Sequence, residues 1–166
     1  MTAPVSVVHP RKLYAALLAS PSASARAHDA LQFLCSTSGA ERGYLFVEQL
    51  GELVLAASHR AEQPSAELLA EVRRLWGREF DIAPDSNRTL DIHELQASSS
   101  RPGLKLPGDF QPRALSTYRT GSWCAVGILA LQASPERPLE LLRQAHIDAI
   151  CNAFLDAPAS PGATAL

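Results

Sequence analysis

Cysteine is scarce in this chain: Cys35, Cys124 and Cys151 are three among 166 residues. An odd number, widely spaced and in apolar surroundings, argues against a disulfide framework and for reduced thiols in a reducing compartment. Net charge is nearly absent as well, at −2 with a pI of about 6.2. No long-range field therefore draws nucleic acid or an anionic membrane. Long apolar runs are missing: the best, Ala125 to Leu131, is strand length and far short of the roughly 18 residues that cross a bilayer. Met1 to Pro10 carries no basic segment followed by an apolar core, so no secretory signal is expected. The reading is a cytoplasmic protein with no nucleic-acid and no membrane partner.

What is present suits one ordinary domain. Hydrophobic residues make up 46% and charged residues 19%, too apolar for disorder. A chain of this length buries roughly 70% of its unfolded surface, so it needs no metal or disulfide staple. Residues 1–10 and 157–166 read as a flexible start and a disordered Pro/Ala/Ser/Gly tail around a domain spanning 11–156. Leu13, Leu17 and Leu18 predict a short helix after Pro10. Pro21 breaks it, and Ser22 or Ser24 caps a second helix ending at Gly39. Tyr44 to Glu48 and Glu52 to Ala57 form one expected hairpin; Phe110 to Tyr118 and Ser122 to Leu131 form another. The near-continuous apolarity of the first hairpin's two runs suggests a sheet covered on both faces. Between them, Pro64 and Ser65 open a helix that Gly77 ends, Thr89 to Ile92 is a short strand, and Gln96 to Asp109 is a surface loop. Pro138 launches the last helix, and helices at both ends of hairpin-joined strands imply an α+β antiparallel fold.

Two stretches carry a resemblance. Cys35-Ser-Thr-Ser-Gly-Ala-Glu-Arg-Gly-Tyr-Leu-Phe-Val-Glu-Gln-Leu-Gly-Glu-Leu-Val-Leu-Ala-Ala-Ser58 resembles the opening of a GAF domain. Trp123-Cys-Ala-Val-Gly-Ile-Leu-Ala-Leu131 resembles that family's final strand. The resemblance covers roughly residues 24–156. It implies a central antiparallel sheet of about five or six strands, with the N- and C-terminal helices on one face and a pocket-forming helix and loops on the other. It places candidate ligand-pocket residues at Tyr44, Phe46, Trp76, Phe80, Arg88 and Trp123. It also implies a homodimer through the first and last helices, with Leu13, Leu17, Ile147, Ile150 and Phe154 at the contact; packing of these residues on the sheet is the alternative.

Specific chemistries find little support. One branch resembling this fold reduces free methionine sulfoxide with clustered reactive thiols, which must be exposed and of low pKa. Here the three cysteines fall on a helix face, in a core strand and in the closing helix. The histidines show no metal-ligand spacing; a haem-binding variant would need an axial ligand, for which His59 or His93 would serve. Phosphate-cradling glycine loops are absent, as are the cyclic-nucleotide Asn-Lys-Phe-Asp-Glu signature and the Cys-His pair of bilin-binding relatives. Arg101, Lys105, Arg113 and Arg119 form a modest basic stretch that a solvated strand face explains. The expectation is a non-catalytic signalling domain without a cofactor, which binds a small ligand and/or regulates a partner signalling protein through dimerisation. A ligand-free scaffold for a signalling enzyme such as a protein kinase and the redox enzyme are the alternatives.

Overall fold

Local capping decides where the helices begin. Pro10 opens α1 (Pro10–Leu18), where a missing N–H breaks no hydrogen bond, and the His9 ring accepts the Arg11 N–H at 3.2 Å. Of the two serines able to cap α2 (Ala23–Ser38), Ser22 does so, its Oγ accepting the Ala25 N–H at 3.1 Å. Gly39, at φ +75°, stops that helix in the left-handed region. Arg26 is buried, and its Nε donates to the Leu17 carbonyl at 2.9 Å, satisfying an end carbonyl of α1. In this computed structural model residues 8–80 and 106–157 are described.

Strands β1 (Ala40–Gln49) and β2 (Glu52–His59) join through Leu50 and Gly51; β3 (Gln111–Arg119) and β4 (Ser122–Ala133) join through Thr120 and Gly121. Both connections have positive φ at both central residues, the two-residue turn whose twist matches that of paired strands. β1 and β4 pair in the centre, so the open antiparallel sheet runs β2-β1-β4-β3. It has four strands among the described residues. Thr89 to Ile92, the expected further strand, lies outside them.

One face of the sheet carries the helical layer. α2 packs on β1 and β2, while α4 (Gln144–Asp156) packs on β3 and along α1. α1 and α4 run in the same direction and are pinned at both ends. His146 Nε2 lies 2.8 Å from the Val8 carbonyl, and the Tyr14 hydroxyl donates to Asp156 Oδ2 at 2.8 Å. Leu31, Leu34, Leu45, Leu115, Leu129, Ile147 and Ile150 fill the space beneath. On the other face α3 (Ala66–Phe80) sets Leu68 and Val72 against Tyr44, Phe46, Phe110 and Ile128. Ser65 caps it, its Oγ accepting the Leu68 N–H at 3.1 Å. Burial on both faces explains the continuous apolar runs of β1 and β4.

Three bulges break the alternation of side chains. The first is at the start of β1, where Ala40 pairs with Ala133 and Arg42 with Gln132, so Glu41 is an extra residue. Leu45 pairs with Ala57 and Phe46 with Leu55, so Ala56 is an extra residue in β2. Leu115 pairs with Gly127 and Ser116 with Ala125, so Val126 is an extra residue in β4. Beyond each bulge the strand presents its side chains to the opposite faces from those that simple alternation assigns.

Three boundaries differ from expectation. α3 passes through Gly77, since its core residues Leu68 and Val72 anchor it and one exposed glycine costs only about 1 kcal/mol. The last helix begins at Gln144 and not at Pro138. Arg137 closes a turn onto the Ser134 carbonyl, and the Glu140 N–H donates to the Ser38 carbonyl at 2.8 Å, which holds 138–143 against the end of α2. Leu106, expected in a surface loop, is buried and bridges to Phe110.

Candidate functional site

The sheet face away from α1, α2 and α4 gathers most of the aromatic residues. The Tyr44 and Phe110 rings lie 5.2 Å apart, and those of Tyr44 and Phe46 6.2 Å apart. The Tyr44 hydroxyl donates to the Glu62 carbonyl at 2.6 Å, and burial pushes its phenol pKa above the ordinary value. Tyr44 and Phe46 are packed core residues here, and Trp76 on α3 is partly buried against them. The side chain of Phe80, and all of Arg88 and His93, lie outside the described residues.

Trp123 shares this face because of the Val126 bulge. It pairs with Tyr118, and the two rings meet edge to face at 5.7 Å. Tyr118 is 55% exposed, while the Trp123 indole Nε1–H is buried and has no hydrogen-bond acceptor among the described residues. A buried donor left unmade costs roughly 1–3 kcal/mol. The structure thus brings Tyr44, Phe46, Trp76 and Trp123 to one face, with the first three in one cluster and Trp123 farther along β4 towards the hairpin end.

His59 goes the other way. It pairs with Gly43, whose absent Cβ would meet Cys35 and Leu31 of α2. Burial lowers its pKa, with Arg60 and His28, a residue of α2, adding to the effect. His59 therefore belongs to the helical side, and its reading as an axial ligand in a cavity on the opposite face is corrected by the Ala56 bulge.

The residues expected at a dimer contact are packed within the single chain. Leu13, Leu17, Ile147 and Ile150 are at most 6% exposed, and Phe154 is partly buried against the same core. They are consumed where α1, α2 and α4 meet the sheet. The outward side of α1 and α4 instead forms a shallow groove of about 350 Å³, lined by Pro10, Arg11, Tyr14, Ala145, Asn152 and Asp156. One end is closed by Asp156, which accepts from both Arg119 and Tyr14. The Arg119 guanidinium, then the Tyr14 hydroxyl, hold that carboxyl below the ordinary aspartate value.

Of the basic stretch, Arg101 and Lys105 lie outside the described residues, and Arg113 and Arg119 are committed to α4 and the segment before it. Arg113 donates to the Leu142 carbonyl at 3.2 Å, burial lowering its pKa, while Arg119 pairs with Asp156. Beside them Asp148 Oδ1 accepts from Thr117 and from Gln144, both at 2.9 Å, which fixes α4 on β3. Burial pushes the Cys35 thiol up to about 11 and raises that of Cys151 further, so both are protonated at neutral pH.

Sequence reasoning missed His146. It is buried, sits edge-on to Phe33 with ring centroids 5.1 Å apart, and bonds the Val8 carbonyl. A carbonyl only accepts, so Nε2 carries a hydrogen, and Nδ1 is buried without a hydrogen-bond partner among the described residues. Its spacing from Leu142 and Ile150 was the available signal, placing it on the buried stripe. Among the described residues no group of three or more His, Cys, Asp or Glu is placed to hold a metal, and no helix is long and apolar enough to cross a membrane. No protein-family model matches the chain, and no curated protein or solved structure matches it either.

Proposed function

We propose that the chain is a non-catalytic signalling domain of the GAF type. It takes a small ligand on the sheet face away from α1, α2 and α4 and passes the bound state to a partner through the helical layer. The observation that carries this reading is the Trp123 indole N–H, a buried donor without an acceptor among the described residues, beside the exposed ring of Tyr118. A ligand oxygen or nitrogen that reached it would recover a hydrogen bond the protein leaves unmade. The surrounding aromatics favour an uncharged, planar ligand carrying one acceptor. The partner is a second copy of the chain, engaged through the outward groove of α1 and α4, because the inward leucines and isoleucines are already buried.

Thermal melting against a panel of small aromatic metabolites tests the ligand reading. A true ligand at about 100 times its Kd stabilises by about 2.7 kcal/mol. For a domain of this size that raises Tm by roughly 5–10 °C. Trp123→Phe keeps the ring and removes the donor, so it should weaken that ligand about fivefold. A panel in which nothing moves Tm favours the second reading, a ligand-free scaffold for a signalling enzyme. The close packing of Tyr44 and Phe46 is the observation in its favour.

A further inference from the structure

Cys124 and Cys151 are separated by a strand, two loops' worth of chain and a helix start, yet three observations bring them to one spot. The Val126 bulge turns Cys124 towards the helical layer, directly opposite Thr117 in the β3–β4 ladder. Thr117 donates to Asp148 at 2.9 Å, so this point of the sheet lies under that turn of α4. Cys151 follows Asp148 by three residues on the same side of the helix, fully buried against the sheet. Cys124 keeps partial exposure, whereas Cys35 lies elsewhere, under α2 against Gly43.

We propose that Cys124 and Cys151 are a redox-modifiable pair, in which Cys124 is oxidised first and Cys151 resolves it into a disulfide that fastens α4 to β4. The oxidant is a hydroperoxide. The Cys124 thiolate attacks the distal oxygen and the O–O bond breaks, giving a sulfenic acid and an alcohol that takes up the proton. The Cys151 sulfur, losing its proton, then attacks the Cys124 sulfur and expels water. Two thiols and one hydroperoxide become one disulfide, one alcohol and one water, with two electrons passing from sulfur to oxygen. Burial keeps the Cys151 thiol protonated, and Asp148 and Cys124 add to this. Resolution is therefore the slow step, and raising the pH accelerates it. This inference does not depend on the ligand reading above.

The test oxidises the intact chain with hydrogen peroxide at neutral and alkaline pH and follows it by intact mass and non-reducing peptide mapping. The expected product has lost two hydrogens and links tryptic peptide 120–143 to peptide 144–166, faster at the higher pH. Closing a loop of this length should raise Tm by roughly 5–10 °C, reversed by dithiothreitol. In Cys151→Ala the Cys124 sulfenic acid should instead persist and be trapped by dimedone. Stepwise addition of oxygen at Cys124 in the wild-type chain with no link, or a link that involves Cys35 or a second chain, would overturn the proposal.

Discussion

The two faces of the sheet are built for different purposes. The helix-clad face draws on three helices, and its cluster has eighteen buried residues among those described, most of them Leu, Ile and Ala. The opposite face has nine, three of them aromatic, with α3 as its described helix. Small aliphatic residues interlock in fixed rotamers and give a rigid floor. Large rings bury much area with few partners and leave polar tips that need acceptors, as the Tyr44 hydroxyl and the Trp123 indole show. Aliphatic packing is therefore concentrated on one face and aromatic surface on the other, and each face keeps one buried polar atom without a partner among the described residues, His146 Nδ1 and Trp123 Nε1.

The sharpest way to break this comparison is at the strand that serves both faces. A Cβ on Gly127 would sit 2.0 Å from the Phe46 carbonyl oxygen, a backbone atom that cannot swing aside. Gly127→Ala should cost about 4 kcal/mol or more in urea unfolding, or prevent folding. Gly43→Ala meets side chains and no backbone atom, the Cys35 Sγ at 2.8 Å first, then Leu131 Cδ2 at 3.1 Å and Leu31 Cδ1 at 3.3 Å. It should cost about 2 kcal/mol, most of it recovered in the double variant with Cys35→Ala. Equal damage at the two glycines would mean that the strand separation at Gly127 relaxes.

The next contrast sets one leucine from each face side by side. Leu129→Ala, under the helices, should cost about 4 kcal/mol, and Leu68→Ala, on α3, about 2 kcal/mol. Both are buried, at 0% and 2% exposure, so the difference reports how well each surrounding can collapse. Reversal of that order in chemical denaturation would show that α3 is the stiffer layer.

The smallest effect concerns the far end of the helical layer. Asp156 has its folded pKa depressed, first by Arg119 and then by Tyr14. Its contribution is complete above the unfolded aspartate value of about 4 and is lost as pH falls below that value through the lower folded one. Wild type should thus exceed Asp156→Asn in urea midpoint near pH 6, with the two curves converging in acid and moving closer with added salt. A gap unchanged at pH 2 would assign the pairing a packing role and not an electrostatic one.

Much of the scaffold was legible because its signals are local. Gly51 and Gly121 announced both hairpins, Gly39 the end of α2, and Ser22 or Ser24 its start, each through a conformation or a hydrogen bond made within a few residues. The faces were harder to read. Strict alternation from Leu53 and Leu55 sends His59 to the aromatic face, and alternation from Ile128 sends Cys124 there and Trp123 to the helical one. Ala56 and Val126 reverse these assignments, and nothing in their side chains marks them as extra residues. Pro138 misled for a related reason: a proline suits a helix start, but the Glu140 N–H was claimed by Ser38 of a distant segment. Leu13, Leu17, Ile147 and Ile150 could not be divided between core and partner surface until the parallel course of α1 and α4 was known.

The bulge in β4 also gives the molecule an unusual sensitivity to register. Were Val126 to pair with Ser116 in a plain pleat, with no residue left over, Trp123 and Cys124 would exchange faces of the sheet. The indole would press into the helices and the thiol would emerge among the aromatics. Two chemically unrelated properties of this protein are thus geared to one inserted residue that takes part in neither.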